Sequence, residues 1–134
     1  ALNLHNKPVR GSRILILGIA YKKDIADLRE SPSIEIFNLL KHQGASVEFH
    51  DPLVSQFRDG TDIVESISMS AEALAAYDCV VLATNHSTYD YEWIAKYAQL
   101  IVDTRNAFKG IAGSHIIRLG APMPQVSVCE IAGN

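Results

Sequence analysis

Three runs of aliphatic residues constrain the fold of this chain more than any other feature. They cover residues 13–18, 79–84 and 100–103, and the first run ends on Gly18. Continuous aliphatic runs of this length are typical of strands buried on both faces, as in parallel sheets. Segments with the apolar spacing of helices lie between them. This alternation predicts an α/β fold, a Rossmann-like three-layer sandwich with a mainly parallel sheet.

Helix start and stop signals separate the predicted strands. Ser31 before Pro32 favours the start of a helix, and Gly44 favours its end. Asp90 is expected to cap a further helix that runs through Tyr97. The other assignments are a strand at residues 47–50, a helix at 70–77, a strand at 115–119 and no element at 53–69.

The composition restricts the class of protein. The chain has 134 residues, the length of one domain, and 48% of them are hydrophobic. Twelve Lys and Arg against fifteen Asp and Glu give a net charge of −3, which argues against nucleic acid or an anionic membrane as the main partner. Two distant cysteines exclude a disulfide scaffold and indicate a reducing cytoplasm. Because the sequence begins with Ala1 rather than Met, we expect it to be a piece of a longer protein.

Ligands of open parallel sheets bind at the carboxyl ends of the strands, so the residues that follow each strand are the candidates for a site. Gly18 and Ala20 follow the first strand and would let a ligand approach the backbone. Lys22 and Arg105 would bring positive charge to the same edge, which suits a phosphate or pyrophosphate. The alternative is that both cations are solvated loop residues.

Several known nucleotide motifs are absent from the sequence. Neither the Gly-x-Gly-x-x-Gly fingerprint nor a P-loop is present, so nothing in the chain predicts an NAD site complete in itself. A phosphoacceptor receiver domain would need an acidic pair after the first strand. Glycine, alanine, tyrosine and lysine stand there instead.

Residues 17–33 carry the most specific pattern, Leu-Gly-Ile-Ala-Tyr-Lys-Lys-Asp-Ile-Ala-Asp-Leu-Arg-Glu-Ser-Pro-Ser. This stretch resembles the C-terminal domain of the UDP-glucose/GDP-mannose dehydrogenase family, with its Gly-x-Ala-Tyr-Lys and Asp-x-Arg-x-Ser-Pro motifs. Gly44-Ala45 leading to Asp51-Pro52, and the run at 101–106, agree in order. The resemblance covers essentially the whole chain, and it is greatest to the enzymes that oxidise UDP-N-acetylhexosamines.

The resemblance implies a function. Family members oxidise C6 of a nucleotide sugar from alcohol to carboxylate for polysaccharide biosynthesis, with NAD and a cysteine that forms a thiohemiacetal and then a thioester. Residues 1–134 would be the UDP-binding C-terminal domain, partnered by the enzyme's own NAD-binding and central domains, in a full-length homo-oligomer. The fragment lacks the family's catalytic cysteine, so we expect it to bind a UDP-sugar and to be inactive alone.

The same resemblance implies roles for individual residues. Tyr21 and Lys22 match the residues that contact the nucleotide sugar, and Arg105 matches an arginine that also binds substrate. Arg29 matches an arginine that reaches across the interdomain cleft toward NAD. Asp27 is expected to orient Arg29 or Lys22 through a charge-assisted hydrogen bond.

Other interpretations stay open from the sequence alone. The domain could belong to a UDP-glucose or GDP-mannose 6-dehydrogenase. It could also be a free-standing nucleotide-binding module, or an interdomain lid or oligomerisation module that binds ligand weakly. The identity of the sugar is not encoded in this part of such an enzyme.

The reactive and aromatic side chains outside these motifs are mostly expected to have structural roles. Cys79 lies in an apolar strand and is expected to be a buried hydrophobe rather than a nucleophile, while Cys129 lies in the tail. His50 and His86 follow strands and could line the crevice, although no histidine pair has metal-ligand spacing. Asp51 is expected to end its strand and begin a turn. The aromatic residues Tyr89, Tyr91, Trp93 and Tyr97 are assigned to core and surface packing.

Overall fold

A computed structural model describes residues 9–20, 32–59 and 62–118 of the chain. Seven strands and three helices lie in these ranges. In chain order they are β1 (Arg13–Leu17), α1 (Pro32–His42), β2 (Ser46–His50), β3 (Gln56–Asp59), β4 (Asp62–Glu65), α2 (Ala71–Ala76), β5 (Cys79–Leu82), α3 (Tyr91–Tyr97), β6 (Ile101–Asp103) and β7 (Ile116–Arg118).

Five of the strands form one sheet in the order β2-β1-β5-β6-β7, and every neighbouring pair is parallel. Leu17, the last residue of β1, lies beside His50 of β2 and Leu82 of β5. After β1 the chain adds β2 along one edge of β1, and it later adds β5 along the opposite edge of β1. The order of the strands therefore reverses between β1 and β5, and the prediction of a mainly parallel Rossmann-like sheet is confirmed.

Each face of the sheet has its own hydrophobic core. In β1, Ile14 and Ile16 pack on one side with Phe37 of α1. Leu15 and Leu17 pack on the other side in a cluster that includes α2 and α3. Because side chains alternate along a strand, a run that is aliphatic at every position can fill both cores. The three-layer arrangement follows from this.

The predicted helix boundaries have the expected capping contacts. Ser70 Oγ accepts the amide of Ala73 at 3.0 Å at the start of α2, and Asp90 Oδ1 accepts the amide of Trp93 at 3.1 Å at the start of α3. Gly44 ends α1 with a φ of +96°, in the left-handed region that glycine adopts readily. These local signals place the three helices close to their predicted positions.

Residues 53–69, to which the sequence assigned no element, contain an antiparallel hairpin of β3 and β4. Phe57 of β3 packs edge-on against Phe37 of α1, with ring centroids 5.2 Å apart, and against Phe49 of β2 at 5.1 Å. These tertiary aromatic contacts hold the hairpin against α1 and β2.

Within the described ranges, no helix is long and apolar enough to cross a bilayer.

Candidate functional site

The reversal of strand order between β1 and β5 creates the point at which open α/β sheets bind ligands. In folds of this kind the chain leaves the two strands in opposite directions, and the ligand crevice lies at their carboxyl ends. Two segments and two further residues meet at this edge of the sheet. They are residues 18–20 after β1, Asp51 after β2, residues 83–86 after β5, and Arg105 after β6.

Gly18 turns the chain sharply at the end of β1. Its φ is +87°, and its amide donates to the carbonyl of His50 at 2.8 Å, which extends the pairing with β2 by one residue. Thr84 fills the space beside its Cα. Ile19 and Ala20 are fully buried. The sequence-based expectation that Gly18 opens the backbone to a ligand is therefore wrong, because that space is occupied by the chain itself.

Asp51 is buried at this edge and holds the segment after β1. Its Oδ2 accepts the amides of Ile19 at 2.8 Å and Ala20 at 3.1 Å, and its Oδ1 accepts the amide of Leu53 at 2.8 Å. The Leu53 bond confirms the predicted turn. The two bonds to the β1 segment were not predicted, since nothing in a single sequence shows which distant amides a carboxylate will meet.

The charge state of Asp51 follows from these contacts. Burial by itself would raise the pKa of the carboxyl group. Hydrogen bonds from the amides of Leu53, Ala20 and Ile19 and from His86 outweigh it and hold the pKa below its usual value of 3.8. Asp51 is thus ionised at neutral pH and can only accept hydrogen bonds.

His86 is the fourth partner of Asp51. Its Nε2 lies 2.9 Å from Asp51 Oδ2, so Nε2 carries the proton that the carboxylate accepts. The side chain is fully buried, and the backbone carbonyl of His86 accepts the hydroxyl of Tyr91 at 2.7 Å. His86 follows β5 as expected, but its ring faces the protein interior instead of lining the crevice. Burial against Asp51 is the physical reason.

His50 forms a second histidine contact next to this pair. Its Nδ1 lies 3.1 Å from the hydroxyl oxygen of Tyr89, which donates its own proton to the carbonyl of His50 at 2.8 Å. Burial lowers the pKa of His50 most strongly, Asp51 raises it and His86 lowers it, and the net result lies below 6.5. Burial also raises the pKa of the Tyr89 hydroxyl. Tyr89 is a core residue as predicted, and its hydroxyl also fixes the position of His50 through these two contacts.

The turn that presents Arg105 is built by the preceding aspartate. Asp103 is fully buried. Its Oδ1 accepts the amides of Arg105 at 3.0 Å and Ala107 at 3.1 Å, and its Oδ2 accepts the amide of Phe108 at 2.8 Å. Asn106 adopts a left-handed φ of +59° in the same turn, a conformation that Asn tolerates better than most residues. The run that marks the family resemblance is thus a compact turn at the end of β6.

Arg105 reaches from β6 to the neighbouring strand. Its Nε donates to the carbonyl of Ala83 at 2.9 Å, and the residue is exposed. The adjacent Thr104 hydroxyl donates to the carbonyl of Leu82 at 2.7 Å. These bonds direct the guanidinium over the carboxyl end of β5, at the crevice. The other predicted site residues, Tyr21, Lys22, Asp27 and Arg29, lie outside the described residues.

The structure also bears on the remaining reactive groups. Cys79 is buried, and burial raises the pKa of its thiol to about 12, which confirms the prediction of an inert hydrophobe. Cys129 lies outside the described residues. In the described part of the chain, no three His, Cys, Asp or Glu side chains are grouped so as to hold a metal ion.

Comparison with known proteins shows the family to which the chain belongs. The profile of the UDP-glucose/GDP-mannose dehydrogenase family, UDP binding domain, matches residues 15–110. A UDP-N-acetyl-D-mannosamine dehydrogenase from Methanococcus maripaludis is 34% identical over 77 residues, which are 58% of this chain and 17% of that protein. A UDP-glucose 6-dehydrogenase from Rhizobium meliloti is 28% identical over 109 residues, 75% of this chain and 24% of that protein.

Solved structures agree with the sequence comparison. A UDP-D-ManNAc dehydrogenase from Pyrococcus horikoshii superposes with a TM-score of 0.71 at 25% identity, over 89% of this chain and 28% of that one. The chain spans about a quarter or less of the length of the two curated relatives described above. The matched region contains all of β1 except its first two residues, together with the Asp51, His86 and Arg105 positions.

Proposed function

Because the chain belongs to the UDP-glucose/GDP-mannose dehydrogenase family through its UDP binding domain, we propose that it binds the UDP portion of a sugar nucleotide where β1 and β5 diverge. In this proposal, residues 1–134 are a single nucleotide-sugar-binding domain. The domain serves a longer, cytoplasmic UDP-sugar 6-dehydrogenase, which would also contain the NAD-binding and central domains and assemble as a homo-oligomer.

The position of Arg105 is the observation that carries the proposal. Its Nε is fixed on the carbonyl of Ala83, so the planar guanidinium is oriented at the sheet edge while its other N–H groups lie further out on an exposed side chain. A guanidinium donates two parallel hydrogen bonds to a phosphate more readily than an ammonium does. A diphosphate at this edge would therefore meet a preoriented positive charge in an otherwise acidic chain.

Tyr21 and Lys22 complete the proposed site through the connectivity of the chain. Ala20, which directly precedes Tyr21 in the sequence, lies at the same edge. We assign Tyr21 and Lys22 to the nucleotide sugar, Arg29 to the NAD side of an interdomain cleft, and Asp27 to the orientation of Arg29 or Lys22.

The described residues do not fit NAD. Dinucleotide folds keep a ribose-binding acid after the second strand, and Asp51 stands there. Its oxygens are already occupied by three backbone amides and His86, and Thr84 fills the space beside Gly18 that a pyrophosphate would need. In the proposed enzyme NAD is bound mainly by the N-terminal domain, and this chain alone turns over no substrate.

The similarity to UDP-N-acetyl-D-mannosamine dehydrogenases supports a UDP-N-acetylhexosamine as the substrate of the longer enzyme, oxidised at C6 from alcohol to carboxylate for polysaccharide biosynthesis. UDP-glucose 6-dehydrogenases are also among the relatives, so UDP-glucose is the competing substrate. The distinction depends on the hexose ring, which the proposal places mainly against the central domain.

Calorimetric titration of the chain with UDP, UMP, GDP and uridine tests the proposal. We expect UDP to bind more tightly than UMP or GDP, and uridine to bind most weakly, because the diphosphate meets Arg105. Arg105→Ala should weaken UDP binding roughly 10- to 100-fold. Arg58→Ala is the matched control, because it removes an exposed arginine from β3 instead. Absence of heat with every nucleotide would overturn the proposal and favour an interdomain lid.

A further inference from the structure

Ala20 is the last described residue before the Tyr-Lys pair, and both polar groups of its backbone are held by side chains from other strands. Its amide donates to Asp51 Oδ2 at 3.1 Å, and its carbonyl accepts the hydroxyl of Thr84 at 2.6 Å. Asp51 follows β2 and Thr84 follows β5. The peptide that leads into Tyr21 is thus held from both sides of β1.

Asp51 accepts the backbone amides that follow the last hydrogen bond between β1 and β2. The amide of Gly18 still donates to the carbonyl of His50, as in a regular parallel pair. Beyond Gly18 the chain turns, and the amides of Ile19 and Ala20 donate to the side chain of Asp51. The carboxylate of Asp51 thus takes the place of a strand carbonyl, and it does so across 32 and 31 residues of sequence.

His86 connects the two sides of this arrangement. Its Nε2 donates to the same Asp51 oxygen that accepts Ile19 and Ala20, so the segment after β5 is joined to the segment after β2 across the end of β1. The hydroxyl of Tyr91 donates to the carbonyl of His86 at 2.7 Å, and Tyr91 opens α3. Movement of any one segment would therefore disturb the other two.

We propose that Asp51 and His86 are positioning residues of the nucleotide site, which fix the Ile19–Ala20 backbone at the sheet edge that also holds Arg105 and thereby set the direction in which the chain leaves β1. This inference rests on the proposed function, because the ligand it serves is the UDP portion of a sugar nucleotide. Neither residue touches the ligand. Each acts through the direction in which the chain leaves β1.

A positioning role differs from a purely structural one in what it predicts. Asp103 illustrates the structural case, since its three amide partners lie two to five residues ahead of it in the same turn. Asp51 instead joins two loops that belong to different strands. Loss of a structural contact lowers the free energy of unfolding, whereas loss of this one should also lower nucleotide affinity in molecules that remain folded.

The experiment compares UDP affinity and amide exchange in four variants of the chain, at a temperature where unfolding curves show each to be folded. Asp51→Asn puts an amide donor or a weaker acceptor opposite Ile19, Ala20 and His86. We expect it to weaken UDP binding about tenfold or more and to speed hydrogen exchange at the Ile19 and Ala20 amides. Asp78→Asn is the matched control, because Asp78 accepts the amide of Arg13 at 2.8 Å at the opposite end of β1. It should leave both readouts unchanged.

The histidine is tested by a pair of substitutions. His86→Gln keeps an N–H donor that can reach Asp51, whereas His86→Ala removes it. We expect UDP affinity within about threefold of the original chain for the glutamine variant and about a tenfold loss for the alanine variant. This pair carries the test if Asp51→Asn does not fold.

The outcomes separate this inference from the proposed function. If the unsubstituted chain binds UDP and the folded Asp51→Asn and His86→Ala variants bind it equally well, the positioning role is wrong while the proposed function stands. If the unsubstituted chain gives no UDP-dependent heat, the proposed function is wrong and the positioning role for that ligand is wrong with it. Loss of affinity in both variants, with retention in His86→Gln and Asp78→Asn, supports the inference.

Discussion

Thr84 occupies the space into which a side chain at Gly18 would project. A Cβ on residue 18 would lie 2.5 Å from Thr84 Cβ and 2.6 Å from the Thr84 carbonyl oxygen. The amide of Thr84 also donates to the carbonyl of Leu17 at 3.2 Å. The ends of β1 and β5 are thus in van der Waals contact through a position that only glycine can fill, and this contact defines the floor of the crevice.

The first prediction follows from this contact. Gly18→Ala should lower the free energy of unfolding by about 2–4 kcal/mol, because the new methyl group meets backbone atoms of Thr84 and the φ of +87° is unfavourable for alanine. Gly11→Ala is a matched control: Gly11 has a φ of +83° but nothing within 4 Å of its Cβ position. It should lose only about 1 kcal/mol, from backbone strain.

Urea unfolding followed by circular dichroism measures both glycine variants. The difference between them isolates the steric contribution of Thr84 from the left-handed backbone that the two positions share. Equal losses in the two variants would show that the crevice floor relaxes around an added methyl group. The close contact between β1 and β5 would then not be required for the fold.

A second prediction concerns the hydroxyl of Tyr89. Tyr89→Phe removes the donor to the His50 carbonyl and leaves His50 Nδ1 without its oxygen partner. We expect the free energy of unfolding to fall by about 1–2 kcal/mol, the usual cost of leaving buried polar atoms without a hydrogen bond. Tyr97→Phe is the control, since the Tyr97 ring packs on Trp93 at a centroid distance of 5.7 Å and its hydroxyl makes no hydrogen bond to any residue that the structure describes.

Thermal unfolding of the two phenylalanine variants decides the point. Tyr97→Phe should unfold within a degree or two of the original chain, whereas Tyr89→Phe should unfold several degrees lower, on the order of 4 °C per kcal/mol for a chain of this size. An unchanged Tyr89→Phe midpoint would mean that water satisfies His50 in place of the phenol.

Much of the fold could be predicted because its determinants are local in sequence. Apolar residues at positions 14–17 of β1 and at every position of β5 indicated strands buried on both faces, and Ser70 and Asp90 indicated helix starts that the structure confirms. The β3–β4 hairpin was missed because its stabilising contacts, from Phe57 to Phe37 and Phe49, are tertiary. The Asp59-Gly60 dipeptide is a local turn signal that the prediction did not use, and the flanking residues show no clear apolar alternation.

The site could be predicted only in part, because several of its contacts also join residues that are far apart in the sequence. The position of Arg105 at the sheet edge follows from a strand end that the sequence shows directly. The contacts of Asp51 with Ile19, Ala20 and His86 span 31 to 35 residues and depend on the register of three strands. Residue type alone predicted a turn at Asp51, which the Leu53 bond confirms, and suggested that His86 could line the crevice. Burial of the His86 ring against Asp51 changed the second interpretation.

A third prediction tests the state of Cys79. Burial raises the pKa of its thiol to about 12, so almost no thiolate forms near neutral pH and the sulfur is shielded from reagents. In a Cys129→Ser background, which leaves Cys79 as the only thiol, we expect reaction with a disulfide reagent to be at least about 100-fold slower in buffer than in denaturing urea. Equally rapid reaction in buffer would mean that the β5 strand opens readily.

A fourth prediction concerns pH. The pKa of His50 is lowered below 6.5, chiefly by burial, with Asp51 raising it and His86 lowering it. Unfolded chains therefore take up a proton on His50 at a higher pH than folded chains do. The free energy of unfolding should fall as the pH drops from 6.5 toward the folded pKa, and His50 should contribute no pH dependence above that window.

His50→Gln isolates this effect from the other four histidines. Urea midpoints from about pH 7.5 to about pH 5 should fall less steeply for the glutamine variant than for the original chain. Asp51 does not interfere, because its lowered pKa means that its contribution is present above pH 3.8 and is lost only as the pH falls through the lower folded value. Parallel midpoint curves for the two chains would show that the partly buried ring of His50 takes up its proton in the folded state as easily as in the unfolded state, and that the contact with Tyr89 does not depend on a neutral imidazole.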